Sequence, residues 1–518
     1  MGLGIVPRPG ERLLPVASAL LLAAAFPPLH LGIPSFVGLV PFAVWVTRLP
    51  HGAEGAASAA RGGLLLGLVL YGLLLHWIVP ALAWVTPLAV PAFLAVLTVL
   101  AGLTALFGSL LHRGVHGLHV PVWLALPVTW TAVEWLQGHL PGPLAFPWLG
   151  LGTSLTGFPE WVGIAEMVGA RGVTFWLALV NGLIVGLIVS ADARSRRPFA
   201  AVAVLAMVAA APAGWGAWRA GTLETRAAAR LGVVHTSVPA ESRRDVDAWH
   251  REVEADLDRA LTGSLPESLD LLILPEGLWV GEEERASAEA LTERLRAYAL
   301  EAAAPVLFGA YSRLDSKTSV NAALLMEPSG LGAYRYEKRR LVPLVETTAL
   351  PGTSSFTRFR PGGSPDGDGV PVLRVGGTGF GVLICFEAIF PGEARAARIA
   401  GADVLVNLTN DGWFGVEGGS RAALHQHAAH LVMRAIETRA GAARSANGGF
   451  SFFVDPVGRV SGTAGPEGSG VQGDTVFTTD GVTFYTRHGD LVGPASALVA
   501  LLFGLAGLSG AVRPHSRG

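Results

Sequence analysis

The chain is poor in cysteine and poor in charge. Cys385 is the single cysteine among 518 residues. It cannot form an intramolecular disulfide, and zinc sites normally take several such ligands. Cys385 therefore stands as a buried small hydrophobe, a bystander thiol or a nucleophile. Asp, Glu, Lys and Arg supply only 15% of residues, against about 25% in ordinary globular domains. Hydrophobic residues supply 51%, and the mean hydropathy is +0.46. That shortage of charge excludes a wholly soluble protein and places part of the chain in lipid. The net charge of −2 and the pI of 6.7 leave no basic footprint for nucleic acid.

The charge is also unevenly placed. Up to Leu223 the sequence is a series of apolar blocks. From Glu224 to about Asp490 it reads as a soluble α/β protein, and the last residues are apolar again. A spanning helix needs about 20 mostly apolar residues. Seven such stretches precede residue 220: 12–29, 33–49, 62–83, 87–112, 119–137, 170–191 and 198–219. An eighth is Leu491 to Val512. The division expected is a seven-helix transmembrane domain at 1–223, a soluble α/β domain at 224–490, and a C-terminal helix with its tail at 491–518. The first stretch can also be read as a signal peptide, since Arg8 and Arg12 precede it. Against that, a second span follows at once and Phe26-Pro27-Pro28 is a poor cleavage site.

Arginine placement sets the expected orientation. Arg8, Arg12, Arg48, Arg61, Arg113, Arg194, Arg196, Arg197, Arg513 and Arg517 all fall on alternate connections, with Arg171 the exception. The N-terminus and C-terminus are then cytoplasmic, and residues 224–490 lie outside the cytoplasm. Within the apolar half, Glu134 sits between Trp130 and Trp135 in a span, where an ionisable group is a functional candidate. A loop rich in Pro, Gly and aromatics follows, from Gly138 to Trp148. It reads as an interfacial platform for a lipid, with His76 and Trp77 near the same end. Packing and anchoring are the bland alternative for all of these.

In the polar half, Leu231–Val234 reads as a first strand and Val246–Leu261 as an amphipathic helix. Leu271–Leu274 is a wholly apolar strand, of the kind buried on both faces. It runs into Pro275-Glu276-Gly277. A helix at 284–303 and a strand at Val306–Ala310 follow, then a hairpin of Asn321–Met326 with Gly332–Tyr336. Val382–Ile384 ends on Cys385. A helix at 391–400, a strand at Val404–Leu408, a helix at 420–438 and strands at Ser445–Asp455 and Thr475–Thr478 complete the domain. Strands alternating with helices, with hairpins mixed in, make a layered α/β sandwich.

Three strand ends carry charged or reactive groups: Glu276, Lys338 and Cys385. Chemistry concentrates at such ends. A carboxylate base can take a thiol proton, and the thiolate is then a nucleophile. An ammonium and the N–H after Cys385 can stabilise a tetrahedral oxyanion. His425, His427 and His430 suggest a metal only weakly, because their spacing does not place all three on one helix face. Trp413 and Phe414, in a loop with Asp411, Gly412 and Gly415, are read as aromatics kept near the site as a lid rather than as core.

At these residues the chain resembles the nitrilase superfamily. Four motifs carry the likeness: Leu274-Pro275-Glu276, Tyr336-Glu337-Lys338-Arg339-Arg340-Leu341-Val342-Pro343, Ile384-Cys385-Phe386-Glu387 and Asn410-Asp411-Gly412-Trp413-Phe414-Gly415. Together with Glu134-Trp135-Leu136-Gln137-Gly138, Phe146-Pro147-Trp148 and the eight spans, they resemble the apolipoprotein N-acyltransferase family in particular. The resemblance implies an αββα sandwich beside a multi-pass α-helical membrane domain. It implies a Glu-Lys-Cys triad, with Glu276 as general base, Lys338 as oxyanion stabiliser and Cys385 as acyl-carrying nucleophile. Glu346 and Glu387 would orient Lys338 and the thiol. Trp413, Phe414, Trp148, Glu134 and Asn410 are the candidates for substrate contact. The implied partners are a phospholipid acyl donor, a diacylglyceryl apolipoprotein acceptor and the bacterial inner-membrane bilayer, with the protein a monomer and no cofactor or metal. Two departures stand out. Leu344-Val345-Glu346 replaces the Phe-Gly-Glu often found there, and His235 and Ser237 replace a Gln and an Asn. A membrane-tethered amidase for small amides and a non-enzymatic lipid-binding or transport protein are the alternatives.

Overall fold

The computed structural model describes residues 12–510, except 85, 193–197, 263, 282–285, 314–317, 344, 348–357, 363–368 and 416–419. Arg8, Arg194, Arg196, Arg197, Arg513 and Arg517 thus lie outside the described residues. The chain separates into two compact units. One comprises Met1–His76, Pro91–Ala220 and His488–Gly518; the other comprises Trp77–Val90 and Gly221–Arg487.

The first unit is helical. Among the described residues, four helices are long and apolar enough to cross a membrane: Ala53–Leu75, Ala89–Gly117, Ala165–Ser190 and Phe199–Thr222. Leu13–Ala25, Gly32–Thr47 and Val492–Ala506 are apolar but shorter. The expected span at 119–137 is a helix, Val122–His139. It carries Glu134, Gln137 and His139 and does not join either group.

Two other expected spans differ from the helices found. The stretch 62–83 is not one helix: its helix begins at Ala53 and ends at Leu75. The early turns are rich in Ala, Gly and Ser, which lowers hydropathy but lets backbones approach closely. A Cβ on Gly63 would stand 2.2 Å from the Thr104 carbonyl oxygen. Trp77–Val90 belongs to the other unit. The stretch 33–49 breaks into Gly32–Val37 and Val40–Thr47. Asn181 satisfies the main chain at the break, accepting from the Leu39 N–H at 2.9 Å and donating to the Ser35 carbonyl at 3.1 Å. In an apolar environment such groups must be paired.

The second unit is an α/β sandwich. In chain order its strands are β1 (Arg226–His235), β2 (Leu271–Ile273), β3 (Trp279–Gly281), β4 (Val306–Arg313), β5 (Thr318–Glu327), β6 (Gly330–Glu337), β7 (Arg358–Phe359), β8 (Val372–Val375), β9 (Thr378–Ile384), β10 (Val404–Asn410), β11 (Gly441–Asn447), β12 (Ser451–Val454), β13 (Val460–Ala464) and β14 (Gly470–Thr478). One sheet runs β14-β1-β2-β4-β5-β6, with β3 beside β4 and β7 beside β5. The other runs β13-β12-β11-β10-β9-β8. The β1–β2–β4 and β9–β10–β11 pairings are parallel, and the flanking pairings are antiparallel.

Strand periodicity assigns the faces. Leu231, Val233, Leu271, Ile273, Phe380, Val382, Ile384, Val404 and Val406 share one buried core between the sheets. Val234, Leu272 and Leu274 point the other way, into a core with Trp249, Val253, Leu257, Leu291 and Leu295. Those last residues lie on the helices Val246–Leu261 and Ala286–Glu301. Helices Pro391–Ile399 and Arg421–Thr438 pack beside β9 and β11. The layers are therefore helix, sheet, sheet, helix. A strand buried on both faces explains why β2 and β10 lack the alternation of half-exposed strands.

Candidate active site

Three strand ends converge. Glu276 stands just beyond β2, Lys338 directly after β6 and Cys385 directly after β9. Glu276 is 2% exposed and Lys338 1%. Lys338 Nζ donates to Glu276 Oε1 at 3.0 Å and to Glu346 Oε1 at 3.1 Å. Asn321, on β5, donates its amide to the same two oxygens at 2.6 and 3.0 Å. The other Glu276 oxygen accepts from the Asn410 main-chain N–H at 2.9 Å, at the end of β10. Three elements thus fix one carboxylate. Gly309 on β4 makes the close approach possible, since a Cβ there would lie 2.4 Å from Glu276 Cα.

The charges within this cluster do not cancel. Two carboxylates face one ammonium. Burial alone would lower the Lys338 ammonium, but the carboxylates of Glu276 and Glu346 hold it well above its ordinary range. Cys385 keeps partial exposure. Burial, then the neighbouring Glu276 carboxylate, pushes its thiol far up, with Lys338 opposing. The resting sulfur is therefore protonated and needs a base before it can attack.

The thiol sits at a bend. Cys385 has φ of +50°, the left-handed region that side chains with a Cβ rarely adopt. β9 ends there and a 3₁₀ turn, Cys385–Ile389, begins. Glu387 clamps the bend. Its Oε2 accepts from the Ile384 N–H at 2.7 Å and the Tyr336 hydroxyl at 2.9 Å, and its Oε1 from the N–H groups of Arg339 at 2.6 Å and Arg340 at 3.2 Å. Glu387 thus ties the main chain after Lys338 to the main chain before Cys385. Burial pushes its carboxyl up to about 7, with Glu393 adding and the N–H groups of Ile384 and Arg339 opposing. Glu346 touches the ammonium itself, and its second oxygen accepts from the Val342 N–H at 2.6 Å.

A second buried network adjoins the thiol. The Thr409 hydroxyl is in hydrogen-bond reach of Cys385 and donates to Asp411 at 2.9 Å. Asp411 also meets Arg444 at 2.6 Å and His427 Nδ1 at 2.9 Å, all three fully buried. Burial would raise the Asp411 carboxyl, but Arg444 and His427 hold it well below the usual range. Sequence reasoning missed Asn321, Thr409 and this network. The signal at hand was an arginine inside an apolar strand, Arg444 on β11, which demands a buried anion.

The remaining candidates fall as follows. Asn410 Oδ1 accepts from the Gly412 N–H at 3.2 Å and the Asn447 amide at 3.1 Å, so its side chain shapes the turn. Trp413 packs 4.8 Å from Trp84, and Phe414 packs edge-on 5.0 Å from Trp77. Trp77 also donates to Gln426 at 3.1 Å. Glu134 and Trp148 lie in the helical unit. Glu134 accepts from the Leu151 N–H at 2.9 Å and the Thr174 hydroxyl at 2.8 Å, and faces Arg171 at 3.7 Å. Trp148 is buried and stacks on Phe146. His425 lies against Phe450, and His430 is buried. Among the described residues no group of three or more His, Cys, Asp or Glu side chains is arranged to hold a metal.

The profile of the apolipoprotein N-acyltransferase N-terminal domain matches residues 18–183, and that of the carbon-nitrogen hydrolase matches residues 245–476. An apolipoprotein N-acyltransferase of Bradyrhizobium diazoefficiens is 31% identical over 453 residues, covering 81% of this chain and 78% of that one. The chain belongs to the apolipoprotein N-acyltransferase family. The family member of Geobacter metallireducens is 27% identical over 517 residues, covering 95% of each chain. Among solved structures, an amidase from Nesterenkonia sp. aligns with 21% identity and a TM-score of 0.33, over 52% of this chain and 96% of that one. In family terms, the N-terminal match falls mostly on the helical unit, while the hydrolase match covers most of the sandwich, including Glu276, Lys338 and Cys385.

Proposed function

We propose that the protein transfers an acyl chain from a membrane phospholipid to the N-terminal amine of the diacylglyceryl-cysteine of apolipoproteins, through a thioester on Cys385. The observation that carries this is a thiol at a strand end beside a buried Glu-Lys-Glu cluster, in a chain of this family. Glu276 takes the thiol proton. That transfer conserves the cluster's net charge and moves the negative charge onto sulfur, where Lys338 faces it. The thiolate attacks the donor ester carbonyl, and Lys338 with the Phe386 N–H stabilises the oxyanion. Glu276 then gives its proton to the departing glycerol oxygen. A C–S bond has formed and a C–O bond has broken.

In the second half-reaction the acceptor amine attacks the thioester. Its proton passes through Glu276 to the sulfur, which leaves as a thiol, and an amide results. Glu346 keeps Lys338 charged and aimed, and Glu387 holds the bend. Water has to be excluded while the thioester waits. Trp413 and Phe414 supply apolar cover beside Trp84 and Trp77. On this reading residues 224–490 form the extracytoplasmic domain of a bacterial inner-membrane protein, with Arg48, Arg61 and Arg113 on the cytoplasmic side and no second protomer needed.

The test is intact-mass analysis of full-length protein in detergent micelles with a defined phospholipid. One acyl mass is expected on the wild type and none on Cys385→Ser. The acyl mass should disappear when a diacylglyceryl-cysteine peptide is added, with matching N-acylation of the peptide. A wild type left unmodified by phospholipid refutes the reading and favours the amidase alternative.

A further inference from the structure

Arg243 has no place in the chemistry above, yet it is buried beside it. It lies in the short 3₁₀ turn Ala240–Arg244, between β1 and the helix Val246–Leu261. It is 9% exposed. Its guanidinium stands over three rings: Trp413 at 4.9 Å, Trp249 at 5.0 Å and Tyr311 at 5.1 Å. Aromatic faces attract a cation, but they satisfy none of its N–H donors. Nε and Nη2 are both buried, and neither has a hydrogen-bond partner among the described residues. These two nitrogens form one edge of the planar guanidinium, the fork that grips a carboxylate or phosphate with two parallel bonds. The same edge of Arg219 grips Glu166 in that way, at 2.8 and 3.2 Å. On Arg243 the edge meets no anion among the described residues.

Its position relates it to the reacting centre. Tyr311, on β4, lies between Arg243 and the turn that carries Glu276. A Cβ on Gly277, the residue after Glu276, would come within 2.6 Å of the Tyr311 ring. The unpaired edge is therefore one aromatic ring from the base. On its other side Trp413 packs against Trp84, the rings tilted 38° to each other.

We propose that the Nε–Nη2 edge of Arg243 binds the phosphodiester of the donor phospholipid. This rests on the reading of the chain as a phospholipid-dependent acyltransferase. The donor carries a phosphate a few bonds from its reacting ester, whereas the acceptor presents an amine. Two parallel charge-assisted bonds from a desolvated arginine fix the glycerol backbone, and its ester is directed toward Cys385. The three rings enclose the fork in an apolar wall, so an anion there is held without competition from water.

The experiment compares two acyl donors on full-length protein in neutral detergent micelles: phosphatidylglycerol, and diacylglycerol with the same chains. The readout is the rate of Cys385 thioester formation. For Arg243→Gln, the ratio of kcat/KM for phosphatidylglycerol over diacylglycerol should fall roughly ten- to a hundredfold, mostly through KM. Arg243→Lys keeps the charge without the fork and should fall between. Thioester formation from diacylglycerol in the same preparation reports that the variants are folded. An unchanged ratio, or equal losses with both donors, overturns the proposal. Inorganic phosphate separates the sources of the anion. If millimolar phosphate blocks the wild type but not Arg243→Gln while the donor ratio is unchanged, the edge serves free phosphate and the headgroup assignment falls. A wild type that takes no acyl group from either donor instead sinks the acyltransferase reading on which the proposal rests.

Discussion

Glutamine at position 387 is a sharp perturbation of the bend, because it keeps the shape of the clamp and changes one atom of it. Glu387 accepts from three main-chain N–H groups and one phenol. A glutamine has one carbonyl and one amide to offer. With its carbonyl toward Arg339 and Arg340, both of those bonds survive. Its NH₂ can then donate to Tyr336, whose hydroxyl turns to accept. The Ile384 N–H, however, meets a second donor and is left unsatisfied inside the protein. One buried orphan of this kind costs about 1–3 kcal/mol. The reverse orientation orphans two N–H groups and is worse. Glu387→Gln should therefore lose about 1–3 kcal/mol, while Glu387→Ala, which abandons all three N–H groups, should lose roughly three times as much. The orphan lies one peptide before Cys385, so thioester formation should slow as well, by roughly tenfold or more. Unfolding of full-length protein in detergent micelles gives the stabilities, and the acylation burst gives the rate. If Glu387→Gln matches the wild type in both, or matches Glu387→Ala in stability, the hydrogen-bond accounting is wrong.

Three further outcomes are expected. His235 is buried against Ser451, and burial lowers its imidazole to about 4. The unfolded chain takes up that proton near 6.5, so the contribution to stability is full above that pH. It is lost as the pH falls toward 4, by about 3 kcal/mol. The stability difference between the wild type and His235→Gln, followed by denaturation from pH 7 to pH 4, should change by that amount, and a flat difference contradicts it. Gly309→Ala puts a methyl against Glu276 Cα and should cost about 1–3 kcal/mol while lowering kcat more than it alters KM; an unaltered kcat would show that Glu276 does not depend on that approach. Arg444→Met leaves Asp411 as a buried anion facing only His427 and Thr409, and should cost about 3–5 kcal/mol. Pairing it with Asp411→Asn should restore part of the loss in thermal unfolding, and no recovery would mean that the two residues are not coupled.

The sandwich was readable because its strands are short apolar runs ended by turn residues. Leu271–Ile273 and Val404–Asn410 could hardly be anything else. The strand ends bearing Glu276, Lys338 and Cys385 were readable for the same reason. The φ of Cys385 was not, since a left-handed residue leaves no mark when it is not glycine. Asn321 and Thr409 looked like ordinary strand residues, because a polar side chain shows its partner only after two strands meet. His427 drew attention as a possible ligand, and its actual neighbour, Asp411, lies sixteen residues earlier in a different element. Hydropathy treated 62–83 as one block because it measures greasiness and not company. Trp77 and Trp84 are apolar, but what they cover is Phe414 and Trp413.

The left-handed bend at Cys385 has a consequence for how such a protein can change. A residue with a Cβ holds that conformation at a cost of about 1–2 kcal/mol, and glycine holds it nearly free. Replacing Cys385 by glycine would thus relax the fold while, on the proposed reaction, silencing it. At this position thermodynamic fitness and chemical fitness point in opposite directions. A library screened only for heat resistance would drift toward dead protein here, and the sulfur persists only where turnover itself is under selection.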